Sequence, residues 1–166
     1  LIAEDGSELD ITETSEIEKH VKKAKAIAVR INGQSASLNS ITTLRDADTV
    51  EIITWDSDAG KEIYRHSTSH VMAHAVKKLF PDVKLAIGPS IQDGYYYDFD
   101  ISKTFTPEDL ALIEKEMSAI IKKDSPFVRK EMSKKDAVRL FEKMGEIYKV
   151  ELLNDLSDET VTLYEE

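Results

Sequence analysis

The chain has 166 residues, of which 41% are hydrophobic and 33% charged, with no cysteine and a formal net charge of −10. This describes an ordinary globular protein of one sizeable domain or two small ones, and it excludes a disulfide framework or a thiolate metal site within these residues. No apolar run approaches the ~20 residues of a membrane-spanning helix, and the acidic opening LIAEDGSELD is no signal peptide, so no membrane partner is expected and a cytoplasmic setting fits.

The charge is unevenly placed. Residues 1–57 carry 11 acids against 6 bases, residues 58–150 carry 15 against 16, and the tail 151–166 has 6 acids and no base. Lys/Arg clusters of the middle stretch, such as IIKKDSPFVRKEMSKK, read first as solvated helix surface and second as phosphate contacts.

Taken in chain order, LIAEDGSELDI holds two short apolar stretches around Asp5–Gly6, a hairpin signal. SEIEKHVKKA follows, with Ser15 as N-cap and Ile17 and Val21 at helical spacing. In AIAVRINGQSASL the pair Asn32–Gly33 separates two strands, the strongest short-range hairpin signal. TVEIITW alternates and is β-branched, which predicts a strand. This order predicts a small β-grasp, ubiquitin-like domain over residues 1–57. The polar stretch DSDAGKE marks the boundary.

Residues 58–166 predict a second, α+β domain with a mainly antiparallel sheet. A helix runs from about Ala59 to Phe80 and stops at Pro81. VKLAIG is a strand, Gly88–Pro89 a turn, and GYYYDFDI an aromatic strand. Thr106 caps a helix with Pro107 at its first position and Asp109 at capping-box spacing. FVRKEM is a short strand, and Ser133 opens a helix that ends at Gly145. YKVELL and VTLYEE are predicted strands.

The chain has four histidines, and three of them, His66, His70 and His74, stand at i, i+4 and i+8 of the first of these helices. Each step of four drifts about 40°, so the rings share one stripe. Imidazole serves metal ligation or acid–base work near neutral pH. Three readings stay open on spacing alone: packing residues, a metal half-site, and a catalytic pocket that positions a water or a ribose hydroxyl. The zinc-protease motif fails, because Val71 stands where it needs Glu. No cofactor and no metal ligand set is expected.

The run YRHSTSHVMAHAVKKLFPDVKLAIGPSIQDGYYYDFD closely resembles the start of the editing domain of bacterial-type threonyl-tRNA synthetases, and FTPEDLALIEKEMSAIIKKDSPFVRKEMSKKDAVRLFEKMGEIYKVELL resembles its further course. LIAEDGS, RINGQ and VEIITWDSDAG resemble the TGS domain that precedes it. The resemblance implies hydrolysis of seryl-tRNA made in error on threonine tRNA, with the acceptor end of tRNA(Thr) as partner. It implies His70 and His74 as the His-x-x-x-His pair, Tyr96 as the pocket tyrosine and Lys149 as the pocket lysine; His66 matches a histidine of the motif with no assigned role. The family's pocket also uses an Asp and a Cys…His element in a segment beyond LYEE, so the editing domain is expected to be truncated at its C-terminal end; the family's dimer contacts are expected in other domains, so the chain is expected to be a monomer. From a different class stands a non-catalytic RNA-binding or regulatory module built on the TGS-like part. It predicts that His70, His74, Tyr96 and Lys149 scatter, where editing predicts that they converge.

Overall fold

The computed structural model describes residues 1–2, 7–11, 13–45, 48–126 and 128–165, the last for its backbone alone. Two compact units emerge, Leu1–Arg65 and His66–Glu166. Helices mix with small antiparallel sheets in an α+β chain.

In the first unit, helix α1 (Thr14–Lys23) precedes strands β1 (Ala28–Ile31), β2 (Gln34–Ala36) and β3 (Val50–Ile53), which form an antiparallel sheet of order β2-β1-β3. Asn32 and Gly33 take φ of 50° and 83°, the two left-handed positions that a tight hairpin demands. The N-cap of α1 is Glu13, with no side-chain cap. Ser15, expected in that role, sits one residue inside the helix and turns its hydroxyl to the Glu13 carboxylate at 3.3 Å. The Asp5–Gly6 turn lies outside the described residues. On either side of it Ile2 bridges Glu8 antiparallel, and Ile2 also bridges Glu51 of β3 in parallel. Ile17 and Val21 of α1 pack with Val29, Ile41, Val50 and Ile52 to form this unit's core.

Helix α2 (Asp58–Leu79) begins in the first unit and continues through the second. The second unit adds β4 (Lys84–Leu85), β5 (Ser90–Ile91), β6 (Gly94–Tyr95), β7 (Phe99–Asp100), α3 (Pro107–Lys123), β8 (Val128–Ser133), α4 (Lys134–Met144), α5 (Ile147–Asp155) and β9 (Thr160–Glu165). The strands pair antiparallel as β4–β7, β5–β6 and β8–β9. Ala73, Ala75 and Val76 of α2 meet Val83, Leu85, Ile113 and Ile120 in the core. The capping box at Thr106 and Asp109, the Ser133 cap and the left-handed Gly145 terminus form as the sequence predicts.

Two sequence expectations need correction. GYYYDFDI is not one strand: Tyr96, Tyr97 and Asp98 stand between β6 and β7. The Asp98 carbonyl accepts from Ala86 N–H at 3.1 Å and its N–H donates to the Ile87 carbonyl at 2.9 Å, so two residues oppose one and the ladder bulges. YKVELL is the helix α5, not a strand. Within the helix Leu153 is buried, Tyr148, Lys149 and Val150 are half-buried, and Leu152 is 60% exposed. Among the described residues no helix is long and apolar enough to cross a membrane.

Candidate functional site

The buried face of α2 decides where the histidines stand. Ser69, Ala73 and Val76 are fully or almost fully buried and recur at helical spacing. His66, His70 and His74 fall on the remaining arc and are exposed. His66 and His70 meet: their Nε2 atoms are 3.0 Å apart and their rings cross nearly edge-on, with centroids 4.6 Å apart. One ring must donate and the other accept, so at most one of these two nitrogens holds the shared proton.

The pKa of His70 lies below the ordinary imidazole value. Burial is the largest cause, then His66, then the charge of Lys149. Solvent reaches the ring, but the protein around it disfavours the cation. Burial and the His66 and Lys149 charges thus act on His70 in the same direction. Lys149 is half-buried on α5, with Nζ 5.1 Å from the centroid of the Phe141 ring, a cation–π seat.

Ser69, one residue before His70, was not singled out by sequence reasoning. Its buried hydroxyl lies 2.7 Å from the His66 carbonyl and 3.0 Å from the Gly88 carbonyl, and it donates to either. It thereby ties the Gly88–Pro89 segment to the histidine helix. A Cβ on Gly88 would overlap the Tyr97 ring, which stacks on Phe99 at 5.0 Å. The Tyr97 hydroxyl is pushed up in pKa, by burial first and by the Glu146 charge second. Tyr97 is thus the packed member of the tyrosine triplet. Tyr96 is 46% exposed, and among the described residues no hydrogen bond or ring contact joins it to the histidines. His74 lies one turn beyond His70 on the exposed stripe.

The structure thus pairs His66 with His70, and the charge of Lys149 bears on His70 without a contact between them. Among the described residues no three His, Cys, Asp or Glu side chains are grouped to share a metal ion. The Lys/Arg cluster on α4 has structural employment in part: Lys134 Nζ donates to the Asn154 and Leu156 carbonyls at 3.2 and 2.6 Å, closing the C-terminal end of α5.

No family model matches the chain. Among curated proteins it is 51% identical over 137 residues to a threonine–tRNA ligase of Desulforamulus reducens, covering 82% of this chain and 21% of that protein. It is 53% identical over 139 residues to the threonine–tRNA ligase of Citrifermentans bemidjiense, covering 84% and 22%. With that of Clostridium tetani it shares 45% over 143 residues, covering 86% and 22%. The chain spans about a fifth of the length of the curated relatives it matches.

Proposed function

Since the chain belongs to the threonine–tRNA ligase family over the part of those proteins that it spans, we propose that residues 58–166 act in editing, by hydrolysing the ester of seryl-tRNA(Thr). One observation carries this reading. The exposed His70 ring meets His66 at 3.0 Å, and the charge of Lys149 bears on it.

The chemistry asks for little more. Serine lacks one methyl of threonine, and a methyl is worth only about 1–3 kcal/mol of discrimination, so a ligase that binds threonine needs a second, hydrolytic sieve. The aminoacyl ester is activated, and its hydrolysis requires an oriented water and stabilisation of the oxyanion. In this reading Lys149 faces the developing negative charge. The imidazoles of His70 and His74 hold the water and the terminal ribose hydroxyl, and the exposed Tyr96 hydroxyl binds the substrate. The partner is the acceptor end of tRNA(Thr), met in the cytoplasm.

The first unit reads as the TGS domain with a β-grasp fold. Support comes from the parallel Ile2–Glu51 bridge beside an antiparallel β3, β1 and β2, with α1 packed against the same core.

The test is deacylation of seryl-tRNA(Thr), with threonyl-tRNA(Thr) as control, in this chain and in a full-length ligase carrying it as the matching segment. Selective cleavage of the seryl ester that is lost with His74→Ala or Lys149→Met is expected. A full-length protein inert towards both esters would overturn the reading and leave the non-catalytic module in its place.

A further inference from the structure

An ion pair between a half-exposed lysine and a buried glutamate joins the two helices that carry the candidate site. Lys77 of α2 lies three residues after His74, and Glu146 lies three residues before Lys149 of α5. Lys77 Nζ is 2.8 Å from Glu146 Oε1 and donates to the Val83 carbonyl at 2.7 Å. The Glu146 side chain is 3% exposed, and among the described residues its Oε2 has no hydrogen-bond partner. Its backbone is equally engaged. The N–H donates to the Phe141 carbonyl at 2.9 Å, and the carbonyl accepts from Lys149 and Val150 at 3.1 and 3.2 Å. Phe141 closes the circuit, because its ring seats the Lys149 ammonium.

We infer that the Lys77–Glu146 pair sets the register of α5 on α2, and that both are positioning residues for Lys149. The physical ground is the cost of the arrangement. A buried carboxylate with one oxygen left unpaired is not what packing alone selects, since apolar side chains of similar volume hold two helices together at least as well. What the pair adds is direction: an ammonium held by one carboxylate and one carbonyl admits a narrow set of helix placements, whereas apolar contacts slide. Glu146 transmits that placement through its own carbonyl to the first turn of α5, where Lys149 stands. The functional consequence rests on the editing reading; the geometric consequence does not.

Titration of the His70 imidazole by NMR is the test, because the Lys149 charge is one of the causes that lower it. Four forms are compared: the parent chain, Lys149→Met, Lys77→Met, and the double variant. Lys149→Met is expected to raise the His70 pKa by removing a repelling cation. Lys77→Met is expected to raise it in the same direction, by releasing α5, and the double variant to rise no further than Lys149→Met alone. A His70 titration unmoved by Lys77→Met, or shifts that simply add in the double variant, would overturn the inference. Should Lys77→Met fail to fold because it leaves a lone carboxylate buried, Lys77→Met/Glu146→Leu, which removes both partners of the pair, is judged by the same two criteria with and without Lys149→Met. These readings need no substrate, so they stand or fall apart from editing. Where the full-length ligase edits, Lys77→Met should lower kcat for seryl-tRNA hydrolysis by about 10- to 100-fold with KM changed less than about twofold, as for a misplaced catalytic group. An equal loss through KM alone counts against a positioning role.

Discussion

His70 shows how much one side chain's chemistry depends on neighbours that are distant in sequence. Its proton affinity is reduced by burial, by His66 one turn before it, and by Lys149, 79 positions on. The folded-state pKa lies below the ordinary value of about 6.5, so between the two values the unfolded chain binds a proton that the folded chain does not. His70 therefore withdraws stability as pH falls from about 6.5 towards the folded value, and costs nothing above that window. Activity should follow the same group: the acid limb of kcat/KM for seryl-tRNA hydrolysis is expected below pH ~6.5. Lys149→Met should move any residual limb upward, since one repelling cation is gone. A limb at or above the ordinary imidazole value in the parent protein would deny His70 this role. The spacing of the three histidines was plain in the sequence, and the contact of His66 with His70 is one that i,i+4 neighbours on a helix can make; the reach of Lys149 was not legible, because it comes from a different helix.

At the scale of elements, the Gly88–Pro89 segment is the part most exposed to a single change. Ser69 holds its carbonyl from α2, and the Tyr97 ring occupies the space in which a Cβ on Gly88 would lie. Gly88→Ala should therefore destabilise the second unit by about 1–3 kcal/mol, the usual cost of overpacking, measured by urea unfolding. Trimming the ring as well, in Gly88→Ala/Tyr97→Leu, should recover part of the loss relative to the sum of the single changes. Strict additivity would show that the two do not compete for one space. Most elements were legible because caps and turns are local chemistry: Thr106 with Asp109, Ser133, Gly145 and Asn32–Gly33 each specify a backbone state within four residues. The helix α5 was misread because Tyr148, Val150 and Leu152 mimic strand alternation. Only packing shows that Leu153 is buried, Val150 half-buried and Leu152 exposed.

Across the whole molecule, the described cores are distinct: one built on α1 and β1–β3, another on α2, β4 and α3, and a smaller one of Ala137, Leu153 and Val161. Ile113→Ala should cost about 2–5 kcal/mol, seen as faster hydrogen exchange in α2 and α3, while the amides of β1 and β3 keep their protection. Loss of protection in both units alike would show a single cooperative core. By itself, the sequence determined the caps and tight turns, the stripe of three imidazoles, and the kinship with threonine–tRNA ligases. Each of these depends on residues near one another in the chain, or on identity preserved residue by residue. Only the tertiary structure decided that Lys149 rides a helix, that its charge bears on His70, that Tyr97 is packed while Tyr96 stays exposed, and that Lys77 and Glu146 join α2 to α5. Those facts arise from burial and from charges tens of residues apart, and a local pattern cannot encode which distant partner will fill a cavity or meet an ion.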